Sequence, residues 1–249
     1  MIENNFIKQK LRNKKICVGI WSIINSNTNL DIFSKCGLDF ILLDMEHGNH
    51  LSNLEDSIKT LENNDTSPII RVPNLNSHYI QNTLDLGIHG IVVPQVKTID
   101  QIKEFLESTL FPPIGFRGFN PFVRSSSYNI NQNKNLNINE FILRSIILEN
   151  ENLLNNIEQI CKLEYLDLIY IGAYDLSISL GIDPTGSEMK KIIKELTEII
   201  KKNNKHAGAI VFNQEDFKEL TDYGVNFIVY SVDSKIISSS LTNFLNLIT

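Results

Sequence analysis

Ionisable side chains recur where apolar runs end. "FILLDMEHG" carries Asp44, Glu46 and His47 directly after Phe40–Leu43. "IIRVP" supplies Arg71, "SIILEN" supplies Glu149 and "IGAYDLS" supplies Asp175. Glu149 and Asp175 offer hard carboxylate oxygens of the kind that hold Mg²⁺ or Mn²⁺ while leaving positions for water and substrate. A cation there would take the carboxylate and keto oxygens of an α-keto acid. Arg71 would stabilise an enolate oxygen as charge develops. Asp44, three residues before His47, is placed to hold one imidazole nitrogen and free the other for proton transfer. Such a set suits carbon–carbon bond cleavage through an enolate. Glu46 and His50 are not needed for it.

Each residue also has a plainer reading. Asp175 ahead of "LSISLG" is a candidate helix N-cap, and Glu149 a solvated helix start. His47 can be a loop histidine, and Arg71 can pair with any nearby acid. Their common position at strand ends selects the chemical reading.

The elements that must position them alternate strictly. Strand-length apolar runs fall at Ile16–Trp21, Phe40–Leu43, Ile69–Val72, Gly90–Pro94, Ser145–Glu149, Leu168–Ile171, Gly208–Phe212 and Phe227–Ser231. Helix-length runs fall at Asn29–Cys36, Leu51–Asn63, Ser77–Leu86, Ile99–Leu110, Asn152–Lys162, Ser187–Asn203, Gln214–Tyr223 and Ser234–Leu247. In Ser187–Asn203, Met189, Ile192, Ile193, Leu196, Ile199 and Ile200 recur at helical spacing. Eight such pairs predict an α/β chain folded as one (β/α)8 TIM barrel over residues 1–249, with functional groups at the carboxyl ends of the strands. A doubly wound sheet is the alternative, but "GIWSIINSNTN" after the first strand has no GxGxxG.

Composition narrows the partners. A net charge of -6 argues against a general nucleic-acid or anionic-membrane role. No apolar run has membrane-spanning length, and "MIENNFIKQKLRNKK" lacks the apolar core of a secretory signal. Cys17, Cys36 and Cys161 are widely spaced without a CxxC, which predicts a reducing cytoplasm rather than disulfides or a thiolate zinc site. "NINQNKNLNINE", Asn129–Glu140, reads as a polar, mobile connection between ordered elements.

In combination and order, "LLDMEHG", "IIRVP", "LDLGIHGIVVPQV", "FPPIGFRG", "LEN" and "IGAYDLSISLG" resemble the HpcH/HpaI class II pyruvate aldolases, typified by 4-hydroxy-2-oxoheptanedioate aldolase. The resemblance runs from Val18 to Asp233. It implies a barrel that cleaves or forms 4-hydroxy-2-oxo acids, with pyruvate and an aldehyde as small-molecule partners. It implies Glu149 and Asp175 as ligands of Mg²⁺ or Mn²⁺, with Co²⁺ a further candidate. It implies His47 as acid/base, Asp44 as its orienting partner, Arg71 on the pyruvate keto oxygen and Asp85 as a further acid near the site. Gly172, Ala173 and Tyr174 would cradle the pyruvate carboxylate, and Trp21, closing "VGIW", joins the substrate-binding candidates. The resemblance also implies a homo-oligomer, a hexamer built from trimers, with the helix near residues 234–247 exchanged between subunits.

Arg117 in "FPPIGFRG" precedes the fifth strand, so a short connection puts it at the opposite rim. It either anchors its loop or borders a substrate pocket across a subunit interface. Two positions depart from the family pattern. Ile147 stands where a glutamine is common, and Tyr174 where Gly-Pro-Ala-Asp-Leu has a smaller residue. Both put the aldehyde partner in question, a sugar-derived one being a candidate. Other readings are oxaloacetate decarboxylation, a CoA-thioester lyase without a clear basic nucleotide site, and a non-catalytic binding protein on an inherited barrel.

Overall fold

Eight β-branched, nearly continuous apolar runs close into one sheet. A computed structural model describes residues 5–24, 26–48, 51–130 and 138–248. The strands are β1 (Cys17–Ser22), β2 (Phe40–Asp44), β3 (Ser67–Arg71), β4 (Gly90–Val93), β5 (Leu143–Leu148), β6 (Leu168–Ile171), β7 (His206–Val211) and β8 (Phe227–Val232). They pair in parallel in chain order, and β8 returns to β1. The expected (β/α)8 TIM barrel is the fold, with each strand end within two residues of its predicted place.

Side chains alternate across the pleat, and the core divides accordingly. An interior cluster includes Trp21, Phe40, Leu42, Ile69, Ile147 and Tyr170. An outer cluster joins Ile20, Ile41, Leu43, Ile70, Ile91 and Ile146 to the surrounding helices. A helix not predicted from the sequence, Phe6–Arg12, contributes Ile7 and Leu11 to the interior cluster, closing the amino-terminal mouth of the barrel. Asn5 caps that helix through Lys8 N–H and ties it down through the carbonyls of His89 and Phe141. Lys8 adds an ion pair to Asp167 at 3.0 Å.

The predicted helices recur at Asn27–Lys35, Leu51–Glu62, Ser77–Asp85, Ile99–Thr109, Ser187–Lys202, Gln214–Tyr223 and Asp233–Leu245. The run predicted as Asn152–Lys162 is instead two short helices, Glu151–Asn155 and Ile157–Ile160. Asn156 lies between them, its side-chain amide donating to the Asn152 carbonyl at 2.7 Å and competing with the backbone pattern. A helix at Ala173–Leu180, directly after β6, was also not predicted as an element. The polar stretch Asn129–Glu140 lies mostly outside the described residues, and a helical turn begins at Ile138–Phe141.

No helix among the described residues is long and apolar enough to cross a membrane. Cys17, Cys36 and Cys161 are free thiols. Burial raises the Cys17 thiol to about 12 and the Cys161 thiol to about 11.

Candidate active site

Register builds the first half of the site. Asp44 and Arg71 end adjacent strands and are paired opposite each other. Asp44 is fully buried. Arg71 donates to it through Nε at 2.8 Å and Nη2 at 2.5 Å. The third guanidinium nitrogen, Nη1, reaches Glu46 at 2.7 Å. Trp21, at the end of β1, lies beneath: the guanidinium carbon is 4.6 Å from its ring centroid, and Tyr170 packs edge-on against the indole at 5.4 Å. Arg71 therefore places three of its five N–H groups on two carboxylates.

The second half comes from β4, β5 and β6. Glu149 follows β5 directly, and its Oε1 accepts the backbone N–H of Gln95, just past β4. The Gln95 side-chain amide donates to Glu46 Oε1 at 2.6 Å. Asp175 sits in the first turn of Ala173–Leu180. Burial raises the Glu149 carboxyl to about 7; the Gln95 N–H and Arg71 pull it down, while Asp175 and Glu46 push it up. Gly172 brings β6 close to β5. A Cβ there would meet Ile147 Cγ2 at 2.8 Å and Glu149 Cβ at 3.2 Å. Ile147 itself is buried in the barrel interior and presents no polar atom to Glu149.

The loop bearing His47 is braced from β1. Fully buried Asp233 accepts Ser22 Oγ at 2.8 Å and the N–H groups of Ile23 and Ile24 at 3.2 and 2.9 Å. A Cβ on Gly48 would strike the Ile23 carbonyl at 2.3 Å, so only glycine lets the two loops cross this closely. The His47 ring stands exposed at the rim, with Nε2 3.9 Å from Glu46 Oε2.

Three expectations need correction. Asp44 does not hold the His47 ring. Its carboxylate is engaged by Arg71, and its Oδ1 accepts the backbone N–H groups of Glu46 and His47 at 2.9 and 3.4 Å. A spacing of two and three residues presents backbone amides to an aspartate, forming an Asx-type turn. The acid beside the imidazole is Glu46, set aside on sequence grounds. Asp85 does not join this cluster within one chain, and Arg117 lies with it, away from the site, as a short connection to the fifth strand implied. Asp85 ends the helix Ser77–Asp85, which returns toward the amino ends of the strands, and Arg117 is 2.9 Å from it. Arg117 is buried and stacks over Phe111 at 4.6 Å, and its Nε has no hydrogen-bond partner among the described residues. Asp175 is not an N-cap; Gly172 holds that position and makes no side-chain cap bond.

Tyr174 is about half exposed, its ring edge against Phe212 at 6.3 Å. Gly172 caps the helix and gives its own N–H to the Leu148 carbonyl at 2.9 Å, so the positive end that suits a carboxylate starts with the N–H groups of Ala173 and Tyr174. His50 lies outside the described residues. Gln95 escaped the sequence reading altogether; the one hint was its place after "VVP" at a strand end.

Among the described residues, no three His, Cys, Asp or Glu side chains form a metal-holding group. The candidate carboxylate donors are Glu149 and Asp175, with Asp175 and Glu46 both in electrostatic reach of Glu149. Burial first, and then the charges of Asp175 and Glu46, raise the Glu149 carboxyl to about 7, a crowding that a divalent cation would relieve. The donor set fits a hard ion completed by water and substrate oxygens.

A family model described as HpcH/HpaI aldolase/citrate lyase matches residues 17–240. A 2-keto-3-deoxy-L-rhamnonate aldolase of Escherichia coli O17:K52:H18 is 28% identical over 241 residues, covering 95% of this chain and 90% of that protein. Among solved structures, an HpcH/HpaI aldolase/citrate lyase family protein from Burkholderia cenocepacia J2315 superposes with a TM-score of 0.91 at 21% identity, covering 98% and 99% of the two chains. Citrate synthase SbnG superposes with a TM-score of 0.86 at 26% identity, covering 98% and 97%.

Proposed function

The chain belongs to the HpcH/HpaI aldolase/citrate lyase family and is a carbon–carbon lyase, and from that premise we propose that it cleaves and forms 4-hydroxy-2-oxo acids, with pyruvate and an aldehyde as the two halves. The observation that carries this reading is that Glu149 lies within electrostatic reach of both Arg71 and Asp175, at the carboxyl ends of β3, β5 and β6. Glu149 and Asp175 would hold Mg²⁺, Mn²⁺ or Co²⁺, which supplies Lewis acidity toward the oxygens of a keto acid. The N–H groups of Ala173 and Tyr174 take the substrate carboxylate, while the Gly172 N–H stays on the Leu148 carbonyl. His47, directly or through water, removes the C4 hydroxyl proton. The C3–C4 bond breaks, the aldehyde leaves, and the Arg71 guanidinium stabilises the enolate oxygen. A proton returned to C3 gives pyruvate, and the reverse sequence joins pyruvate to an aldehyde.

The substrate class follows the name of the E. coli relative: a 2-keto-3-deoxy sugar acid carries its hydroxyl at C4. We therefore take short hydroxylated aldehydes as partners, with Tyr174 at the mouth of the site. Decarboxylation of oxaloacetate uses the same enolate and the same residues. Unpaired cysteines support a reducing, cytoplasmic setting. Ile237, Leu241, Phe244 and Leu245, exposed on the last helix, support an assembly that covers them.

The test is pyruvate release from a panel of 4-hydroxy-2-oxo acids. Chelation abolishes release, Mn²⁺ or Mg²⁺ restores it, and Glu149→Ala and His47→Ala lose it. Undiminished turnover by His47→Ala removes the proposed base.

A further inference from the structure

We infer that Gln95 is a positioning residue that ties the metal-side carboxylate to the proton-transfer side of the site, an inference that rests on the aldolase reading above. Gln95 follows β4, between the strand that ends in Arg71 and the strand that precedes Glu149. It makes two different bonds in two directions: its backbone N–H goes to Glu149 Oε1, and its carboxamide goes to Glu46 Oε1 at 2.6 Å. Glu46 passes the link on through its other oxygen, which lies 2.7 Å from Arg71 Nη1 and 3.9 Å from His47 Nε2. One residue thus fixes an acid on each half of the site.

The backbone of Gln95 supports a functional reason for this arrangement. Its φ is +56°, the left-handed region that costs a side chain with a Cβ and costs glycine nothing. The residue is exposed, so core packing does not repay that strain. An observed outlier at a cluster of acids is a pointer to function. The neighbouring position is silent: Ile147, two residues before Glu149 on the same strand face, is apolar and faces Gly172. In this chain the carboxamide beside the carboxylates comes from the β4 loop, not from β5.

The two bonds separate by substitution. Gln95→Gly keeps the N–H to Glu149, relaxes the backbone and loses the carboxamide. Gln95→Asn keeps a shorter carboxamide on a residue that tolerates this conformation. Gln95→Glu keeps the size and places a carboxylate against Glu46. The experiment uses the full chain with Mn²⁺ and a cleavable 4-hydroxy-2-oxo acid. It reads kcat and KM for pyruvate release, Mn²⁺ affinity without substrate by electron paramagnetic resonance, and the thermal midpoint. The expected result is a fall of about tenfold or more in kcat for Gln95→Gly and Gln95→Glu, corresponding to the loss of one charge-assisted hydrogen bond. For Gln95→Gly, KM and Mn²⁺ affinity stay within about twofold and the midpoint does not drop, because the backbone bond remains and the strain is gone. Gln95→Asn recovers part of kcat. If an active wild type is matched in kcat by both Gly and Glu variants, the inference is overturned and the aldolase reading stands. If Gln95→Gly lowers the midpoint and Mn²⁺ affinity together with kcat, Gln95 is only a loop anchor. If the wild type releases no pyruvate from any such acid, the aldolase reading falls and this inference with it.

Discussion

Asp44 and Arg71 face each other across the β2–β3 register, and the guanidinium closes on the carboxylate through two N–H groups. Arg71 is thereby fixed in direction before any substrate arrives, which is what an electrostatic stabiliser requires. The acid has no exposure, and the Arg71 side chain is 11% exposed. Removing one partner leaves a buried charge uncompensated, at a cost of about 3–5 kcal/mol. Arg71→Ala should therefore unfold at markedly lower urea, and Asp44→Asn/Arg71→Ala should regain part of that loss. Arg71→Lys keeps the charge but not the fork, so kcat/KM for pyruvate release should fall about a hundredfold or more. Additive unfolding free energies in the double-mutant cycle would show that the pair is not coupled.

The barrel was legible because its strands are buried on both faces and written as continuous apolar runs. Strand ends carrying Asp44, Arg71 and Glu149 were legible for the same reason: polarity begins where the sheet stops. Partner choice was not. Whether Asp44 meets Arg71 or His47 depends on cross-strand register, which three-residue spacing does not encode. Gln95 was invisible because a left-handed glutamine has no local sequence signature. Chain order placed Arg117 at the opposite rim, whereas Asp85 was read into the site because its family signature does not state which rim the end of its helix reaches. The plug helix Phe6–Arg12 is short, and only its docking to Phe141 and His89 explains it.

Gly172 gives the second expectation. A methyl at that position has 2.8 Å to Ile147 Cγ2, a distance at which something must move. Gly172→Ala should cost about 1–3 kcal/mol as overpacking, displace Glu149 and weaken Mn²⁺ binding. Ile147→Gln has no branched methyl to clash. The combined variant Ile147→Gln/Gly172→Ala should recover Mn²⁺ affinity relative to Gly172→Ala alone. Equal Mn²⁺ affinity for Gly172→Ala and wild type would show that the β5–β6 approach does not set the carboxylate.

Assembly is tested by mass. The apolar side chains Ile237, Leu241, Phe244 and Leu245 stand exposed on the last helix. Light scattering should give a trimer or hexamer, and Leu241→Glu/Phe244→Glu should reduce it to smaller species. Arg117→Ala, which also strips the buried pair with Asp85, should then lower activity more than its loss of stability explains. A monomer with full activity would confine Arg117 and Asp85 to anchoring the loop.

The last expectation concerns acid. His89 is largely enclosed, its ring edge-on to Phe141 and bonded to Ser67 Oγ at 3.0 Å, and held neutral. Burial, with the nearby Arg124 guanidinium, lowers it from 6.5 to about 4. Between those values the unfolded chain binds the proton and the folded chain does not. The stability that His89 contributes is therefore complete above about pH 6.5 and is lost as the pH falls toward 4, about 3 kcal/mol in all. His206, lowered chiefly by burial, acts in the same direction. Urea midpoints should fall between pH 7 and pH 5 in the wild type. In His89→Gln, which has no proton to take up, the same pH step should change the midpoint less. An equal slope in both proteins would place the acid sensitivity elsewhere.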